Sequence, residues 1–455
     1  MIYSNPVTNT TQLKACMIAS VANTSAVELI KPQGSGSGLK LTNLRGTEAS
    51  RITSKGLIQV VKGNDAKLDY EYRNISLPNE RLYGALQPNP SYLIEPQITN
   101  KAVSNPTLHS LTNMTADEIE GANGITDGNL QGIRYSVVSY AVNNPLFENT
   151  TTFTSTAGNV IFSGYFRYVN QRYIALNVNN DIVANEPVAV FDLLKGEIAP
   201  AQTSNCTPYI KAIGNGWFRC SIAYQNNLAV GIQWKVKFLE DNEYSSLPHN
   251  VDPNQSVDVF GLQWERLPIF EQPTSYVENA GTTAGVTRGV DYFYNTGGTP
   301  SIMNEVDASN GLLFIESKMT NRTSGTNREI MLSNATATLR ASIIFSTTGD
   351  IIGKVTGSSG MVFYRSSSAF NCEEWNKIAL LWRKNYAELW INGEKQGITD
   401  VFVDPVPRSD EFTQFSYRGT STAFTPYGSH RQLQIYSAYG LSDEDLSALA
   451  EKITK

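Results

Sequence analysis

The stretch V-D-V-F-G-L-Q-W-E-R-L-P, residues 257–268, decides the fold class of this chain. Its residues alternate in the way of a β-strand, and Trp264 stands between two polar residues, as a buried aromatic in a strand does. Pro268 ends the strand, and Q-P-T-S at 272–275 is typical of a turn. The stretch therefore predicts a strand followed by a turn, and it does not fit a helix.

The composition of the whole chain indicates the same class. Charged residues make up only 17% of the 455 residues, against a usual value of about 25%. Long amphipathic helices need charged residues on their solvent face, whereas Thr, Tyr, Val and Ile favour strands and Asn, Gly and Ser favour turns. We expect an all-β protein of two or three domains.

Charge and the lengths of the apolar stretches argue against two classes of partner. The net charge is -6 and no run of basic residues occurs, so we expect no nucleic-acid partner. No stretch of about 18 apolar residues occurs, so we expect no membrane insertion. The first residues, M-I-Y-S-N-P, lack the basic start and apolar run of a signal peptide, and we expect synthesis in a cytoplasm without export.

Six short motifs follow one another in a fixed order along the first 288 residues. They are A-S-R-I-T-S-K-G-L-I at 49–58, K-L-D-Y at 67–70, Y-L-I-E-P-Q-I-T-N at 92–100, G-L-Q-W-E at 261–265, P-T-S-Y at 273–276 and T-R at 287–288. This set resembles tailed-bacteriophage fibre, head-spike and tail virion proteins. In that class A-T-R-x4-G-L-I, R-L-D-Y and L-L-x-E-P-x-x-T-N precede a carbohydrate-binding-like jelly roll that ends in G-x-Q-x-E. Lys67 stands here where the class has Arg.

The first jelly roll is expected at residues 101–275. Strands are predicted at 160–168, 173–177 and 188–193. N-G-W-F-R at 215–219 resembles the hairpin of this module, because Asn-Gly supplies the positive φ of a tight turn. We expect Trp217 in the core; a platform on which a sugar ring stacks is the alternative.

A second sandwich, of the concanavalin or laminin-G type, is expected at residues 296–455. W-N-K-I-A-L-L-W at 375–382 and E-L-W-I-N-G at 388–393 resemble the paired core strands of laminin-G-like domains. L-S-D-E-D-L follows a last strand at 432–438, and it predicts a terminal helix over 443–453 with Ser442 as its N-cap. We expect Trp264, Trp382 and Trp390 to be buried, like Trp217.

The resemblance implies two tandem jelly-roll or β-sandwich domains preceded by an extended β-rich N-terminal attachment region. The expected limits are 1–100 for the attachment region, 101–275 for the first sandwich, 276–295 for a linker and 296–455 for the second sandwich. Phage fibres of this kind are commonly trimeric. We therefore expect a homotrimer in which the apolar segment 13–30 is buried between subunits or at the attachment point.

The sequence marks no reaction centre and no cofactor. His109, His249 and His430 lie far apart among polar residues, and we expect all three at the surface. Glu265 is expected to pair internally with Gln263, because no strand carries the alternating carboxylates of a glycan-cleaving jelly roll. No catalytic residue is therefore assigned, and the chain is not expected to be an enzyme.

Metal and disulfide sites are likewise unassigned. Loop carboxylates such as Asp192 and Asp350 do not have the spacing of a calcium loop. The four cysteines have no metal-binding spacing, and their number in so long a chain does not indicate a disulfide scaffold, although Cys206 and Cys220 would be near each other if they flank a hairpin.

The favoured hypothesis is a virion structural protein, a head fibre, spike or tail fibre subunit, that adheres to host-surface glycans and contacts other capsid or tail proteins. The alternatives are a capsule-degrading depolymerase of the virion, a purely structural capsid decoration protein, and a bacterial glycan-binding module. No ligand-binding residue is assigned.

Overall fold

The computed structural model describes most of the chain beyond residue 90 and separate strands before it. The described ranges are 13–18, 27–29, 39–43, 45, 47–53, 57–63, 67–69, 72–74, 84–86, 91–95, 97–102, 105–120, 126, 130–139, 145–149, 153–155, 158–180, 186–226, 230–244, 251–266, 272–279, 285–291, 293–295, 309–320, 326–334, 336, 338–357, 360–383, 386–397, 412, 414–416, 425 and 427–455.

Short strands make up the described part of the first 100 residues. They are β1 Leu13–Ile18, β2 Val27–Leu29, β3 Leu39–Asn43, β4 Ala49–Ile52, β5 Ile58–Val61, β6 Leu68–Asp69, β7 Tyr72–Asn74, β8 Gly84–Leu86, β9 Ser91–Ile94 and β10 Ile98–Asn100.

Longer strands follow a 3-10 turn at Pro106–Leu108. They are β11 His109–Thr112, β12 Met114–Ile119, β13 Gly132–Val137, β14 Leu146–Asn149, β15 Phe153–Ser155, β16 Gly158–Tyr168, β17 Tyr173–Asn180, β18 Val188–Asp192, β19 Glu197–Ser204, β20 Thr207–Gly214, β21 Trp217–Asn226, β22 Val230–Leu239 and β23 Ser256–Arg266.

The last part of the chain has the same character and ends in a helix. Its elements are β24 Val286–Arg288, β25 Phe293–Asn295, β26 Gly311–Met319, β27 Arg328–Ser333, β28 Arg340–Phe345, β29 Ile351–Gly357, β30 Gly360–Ser367, β31 Asn376–Arg383, β32 Tyr386–Ile391, β33 Glu394–Lys395, β34 Gln414–Ser416, β35 Gly428–Ser437 and α1 Asp443–Thr454. The all-β prediction is confirmed, and so is the terminal helix.

Two sheets form the first sandwich. One has the order β11-β14-β22-β17-β18-β19, with β15 also on β22, and the other has the order β12-β13-β23-β16-β21-β20. Their facing side chains form one core that includes Phe162, Trp234 and Trp264. The predicted strands at 160–168, 173–177 and 188–193 correspond to β16, β17 and β18.

Gly261 shifts the alternation within β23. Before it, Val257 and Val259 face the core; after it, Leu262 and Trp264 do. The pairing of β23 with β16 has a bulge at this point, and Gly261 has a φ of +58°. A bulge adds one residue to one strand, so it exchanges the two faces. The sequence predicted the strand but not this exchange.

The outer face of the six-stranded sheet is covered by the N-terminal segment. Ile58 of β5 and Tyr276 pack there against Tyr165, Trp217 and Phe260. Trp217 is therefore fully buried, but beneath this cover and not in the sandwich core. All four predicted tryptophans are buried: Trp217, Trp264, Trp382 and Trp390.

The second sandwich takes strands from both ends of the chain. One sheet has the order β33-β32-β31-β26-β35-β9-β6, with β1 also on β35, and the other has the order β2-β3-β25-β34-β27-β28-β29-β30. The backbone of β1 therefore pairs with the last strand of its own chain, between 13–18 and 432–436. The expected burial of segment 13–30 between subunits stays a prediction, because its side chains lie outside the described structure.

Helix α1 covers the outer face of the first of these sheets. Ser442 caps it by accepting a 3.0 Å hydrogen bond from the backbone N–H of Asp445, whose carboxylate accepts in return from the Ser442 backbone. Leu446, Ala450 and Ile453 are buried against the sheet. A packed amphipathic face of this kind stabilises a short helix that would be marginal alone.

We predict that Gly261→Ala destabilises the protein by roughly 2 kcal/mol or more. A left-handed φ costs an L-residue about 1–2 kcal/mol, and a Cβ here would lie 3.0 Å from the Tyr165 ring. Gly440→Ala is the matched control, because its φ is +78° and no atom lies within 4 Å of the added Cβ. Guanidinium unfolding of both variants measures the difference; equal losses would contradict the packing argument.

Candidate functional site

Two of the three histidines are buried, so the surface prediction is wrong for them. His109 is 7% exposed and its Nδ1 lies 2.5 Å from the Tyr135 hydroxyl. His430 is fully buried and its Nδ1 lies 2.9 Å from Ser317 Oγ. Their polar sequence neighbours suggested loops, but both belong to strands. His249 lies outside the described residues.

A buried ion network occupies the contact between the N-terminal segment and the two sandwiches. Its centre is Glu95, which directly follows β9. The Glu95 carboxylate accepts from Lys67 Nζ, from Arg288 Nη1 at 2.8 Å, and from the backbone and hydroxyl of Ser275 at 2.6 and 2.5 Å. Lys67 and Arg288 have no exposed side-chain surface. We call this set, together with Asp291 and Arg45, the junction network.

Asp291 extends the junction network towards β4. Its carboxylate lies 2.5 Å from Lys67 Nζ and 2.9 Å from Arg45 Nη1, and the backbone N–H of Glu95 donates to it at 3.2 Å. Arg45 also donates to a backbone carbonyl, that of Lys62, at 2.6 Å. Each buried charge therefore has an opposite charge in contact, as buried charges need.

Glu265 belongs to an adjoining buried cluster. Gln263 Nε2 donates to its carboxylate, the backbone N–H of Thr274 donates to both oxygens at 3.1 Å, and Arg219 lies 3.9 Å away. The predicted Gln263–Glu265 pair is confirmed, and Glu265 has no exposed surface. A reacting group must reach its substrate, so this carboxylate serves packing.

The pKa directions agree with these contacts. Burial alone would raise the pKa of Glu95, but Arg288 and Lys67 outweigh it and hold that pKa well below its usual value. Burial lowers the pKa of Lys67, and Asp291 and Glu95 oppose the change only in part. Burial raises the pKa of Glu265.

The described part of the predicted linker, 276–295, contains buried and paired residues. Tyr276 and Val277 are buried, β24 pairs with β10, and Arg288 is the last residue of β24. Arg288 and Asp291 thus reach the junction network from this segment, and Ser275 reaches it from the residue just before the segment.

Neither metal nor disulfide chemistry is built from the described residues. Among them, no group of three or more His, Cys, Asp and Glu side chains could hold a metal ion. Asp192 accepts from Arg172 Nη2 at 2.7 Å, and Asp350 accepts from the Thr348 hydroxyl at 2.9 Å. Cys206, Cys220 and Cys372 are free thiols.

The outer face of the seven-stranded sheet is the candidate binding surface of the first sandwich. Cross-strand register places Glu148 beside Lys235 and Lys235 beside Asn177. Lys235 Nζ lies 3.4 Å from Glu148 Oε2, and Asn177 Nδ2 donates to Glu186 at 3.0 Å. This row of charged and amide groups points away from the sandwich core. We call this row, together with Tyr173 and Tyr244, the first outer face.

Two partly buried tyrosines lie over an apolar floor on the first outer face. The floor is formed by Ala175, Val188, Val190 and Leu239. Lys237 donates to the Tyr244 hydroxyl at 2.7 Å and lies 4.8 Å from its ring centre; Arg172 lies 4.8 Å from the ring centre of Tyr173. Burial, with Glu186 nearby, raises the pKa of Tyr244 to about 12. Its hydroxyl therefore stays protonated at neutral pH.

Sequence reasoning assigned no ligand residue and missed this face. The available signal was the alternation in V-G-I-Q-W-K-V-K-F-L at 230–239, where Lys235 and Lys237 share one face of a strand whose other face is apolar. Alternation identifies the face, but it cannot identify the neighbouring strands that bring Glu148 and Asn177 beside it.

No protein-family model and no curated protein matches this chain. Within the described ranges, no helix has the length and apolarity needed to cross a membrane.

Several solved structures resemble parts of the fold. The CBM40 of the Ruminococcus gnavus IT-sialidase, bound to α2,3-sialyllactose, is 17% identical, with 32% of this chain and 83% of that one covered and a TM-score of 0.25. Domains LG4-5 of the mouse laminin α1 chain are 10% identical, with 69% and 92% covered and a TM-score of 0.23. A Trypanosoma rangeli sialidase is 9% identical, with 95% and 91% covered and a TM-score of 0.26. Likenesses this weak assign no ligand or activity.

We predict that Glu95→Gln costs roughly 3–5 kcal/mol of unfolding free energy at pH 7, because it leaves buried cations without their partner. Glu451→Gln is the control: its pair with Lys455 is exposed and should contribute less than about 1 kcal/mol. Urea unfolding monitored by tryptophan fluorescence gives both values. A loss at Glu95 no larger than the control would contradict the network's role.

The stability difference between the wild type and Glu95→Gln should also depend on pH. The folded-state pKa of Glu95 is lowered, so its stabilisation is complete above its ordinary pKa of 4.5 and declines as the pH falls below that value. The difference between wild type and Glu95→Gln should therefore shrink between pH 5 and pH 3, on the order of 1 kcal/mol per pH unit. A constant difference would contradict the assignment.

Proposed function

We propose that this chain is a structural subunit of a tailed-bacteriophage particle, a head fibre, spike or tail fibre, that helps the particle adhere to host-surface glycans. One observation carries the proposal. Motifs that resemble this class supply Lys67, Glu95, Ser275 and Arg288, and these residues meet in the junction network, although Glu95 and Arg288 are 193 residues apart in sequence.

The junction network supports a structural role. Its side chains hold the N-terminal segment, the exit of the first sandwich and the edge of the second sandwich together. The polar motif residues are thereby used for architecture, which suits a protein that displays binding domains on a particle. Fold alone does not determine function, and the motif resemblance supplies the class.

Adhesion is assigned to the first outer face. Hydroxyl-rich ligands both donate and accept hydrogen bonds, and their ring faces pack on aromatic side chains. Lys235 and Glu148 supply a donor and an acceptor, and Tyr173 and Tyr244 supply aromatic surface beside them. The role is binding without catalysis: Glu148 is ion-paired with Lys235, and Glu186 accepts from Asn177.

The first prediction from this proposal concerns the particle. Mass spectrometry of purified particles should detect the chain, and immunogold microscopy should locate it at the head or the tail. Light scattering of the full chain should give a trimer of the 50.1 kDa subunit. Absence from purified particles would overturn the virion assignment; a folded monomer would overturn the trimer and leave a decoration protein.

The second prediction concerns adhesion. Tyr244→Ala should reduce retention of the chain on host surface polysaccharide by about tenfold, because it removes a stacking surface and the hydroxyl that holds Lys237. Tyr439→Ala is the control, since Tyr439 is 79% exposed and lies near the C-terminal helix. Equal retention of both variants would contradict the site, and release of reducing ends from the polysaccharide would identify a depolymerase instead.

A further inference from the structure

The junction network brings one lysine amine into contact with two carboxylates. Lys67 Nζ lies 2.5 Å from Asp291 Oδ2, and it also donates to the Glu95 carboxylate. The side chains of Lys67, Asp291 and Glu95 are 0%, 1% and 8% exposed. A buried amine and a buried carboxyl group in contact are an ion pair, but they are also the two reactants of an amide bond.

Lysine is the cation of this network that can react in this way. Arg45 and Arg288 fill ion pairs in the same network, but a guanidinium stays charged and does not become a nucleophile. A lysine amine becomes a nucleophile once it loses its proton, and burial favours that neutral form. Burial lowers the pKa of Lys67, and Asp291 and Glu95 oppose this change only in part.

Asp291 is held in the position of the acceptor. Its Oδ1 accepts from Arg45 Nη1 at 2.9 Å, and its Oδ2 accepts from the backbone N–H of Glu95 at 3.2 Å. Such fixed donors stabilise the negative charge that develops on the two oxygens when a nucleophile attacks the carbon between them. Because Lys67 Nζ already contacts Oδ2, it can reach that carbon with little movement of the chain.

Glu95 is placed to move the protons of the reaction. Lys67 Nζ contacts both Glu95 Oε2 and Asp291 Oδ2, so the two oxygens lie beside the same nitrogen. Burial opposes the ionisation of Glu95, but Arg288 and Lys67 outweigh it and hold its pKa well below the usual value. When Lys67 gives up its proton, one of these two cations is lost, which makes a protonated Glu95 more stable. Glu95 can therefore act first as a base and then as an acid.

We infer that Lys67 and Asp291 form an intramolecular isopeptide bond in the folded chain, with Glu95 as the proton carrier. Lys67 Nζ bonds to Asp291 Cγ, and the bond between Cγ and Oδ2 breaks. The ammonium group gives up two protons, which pass through Glu95 to Oδ2, and this oxygen leaves as water. The third proton stays as the amide N–H, and Oδ1 becomes the amide oxygen. An ammonium and a carboxylate thus give an amide and water, with no further reactant.

Burial favours the isopeptide bond over the ion pair. The reaction removes two charges that are costly to keep away from water. The fold has already brought the two groups together, so the entropic cost of their encounter is met by folding. The bond would join the N-terminal segment covalently to the residues that follow β24, and it would restrict the unfolded chain as a disulfide does. This inference does not depend on the proposed adhesive role.

The test is the mass of the full-length chain after denaturation. The wild type should be lighter than its sequence by one water molecule, and its tryptic digest should contain residues 63–73 joined to residues 289–318. Lys67→Arg keeps a cation beside both carboxylates but has no amine, so it should show the full mass of its sequence and the same strand content by circular dichroism. Glu95→Gln removes the proton carrier, and most of its chains should lack the bond.

Lys395→Arg is the matched control. Lys395 also contacts a buried carboxylate, that of Glu388, but its own side chain is 33% exposed. This variant should keep the loss of one water and the joined peptide. A wild type of full sequence mass, or a water loss that persists in Lys67→Arg, would overturn the inference. A peptide that joins residues 63–73 to residues 82–101 would do so too, because the acceptor would then be Glu95. Complete bond formation in Glu95→Gln would overturn the role of Glu95. The wild-type mass and the joined peptide decide the result even if Lys67→Arg does not fold.

Discussion

Charge pairing around Glu95 is the constraint on which the rest of the structure depends. Three buried cations, Arg45, Lys67 and Arg288, face two buried carboxylates, Glu95 and Asp291. Each charge is tolerable only while the others are in place, because an unpaired buried ion is very costly. The network therefore fixes several strand ends at once. Burial lowers the pKa of Lys67, and the neighbouring cations Arg288 and Arg45 act in the same direction.

Such a network explains why short, weakly apolar strands remain ordered. Strands β6 and β9 have only two and four residues, too few to be stable alone. They are held because Lys67 immediately precedes β6 and Glu95 immediately follows β9, so each strand ends at a buried charge. Strand β9 in turn pairs with β35 through Tyr92 and His430. These two strands are therefore stabilised by long-range ion pairs and strand pairing more than by the strand propensity of their own residues.

The sequence therefore predicted the strands and the helix better than it predicted which strands pair with each other. Alternation located β16 to β18, β23 and the paired strands β31 and β32, and the capping pattern at Ser442 located α1. Alternation says which side chains share a face but not which strand lies next to it. For that reason the pairing of β1 and β9 with β35, the cover over Trp217 and the burial of His430 were not predictable. The first outer face was missed for the same reason, since it gathers residues from three strands.

The buried carboxylates at the centre of the molecule serve architecture. The Glu95 carboxylate accepts from Lys67, Arg288 and Ser275, so its hydrogen-bonding capacity is used within the chain. The Glu265 carboxylate of the adjoining cluster accepts from Gln263 and Thr274 in the same way. Buried groups that are satisfied like this stabilise the folded chain. The proposed adhesion therefore has to use polar groups that remain partly exposed, such as Lys235 and Glu148 of the first outer face.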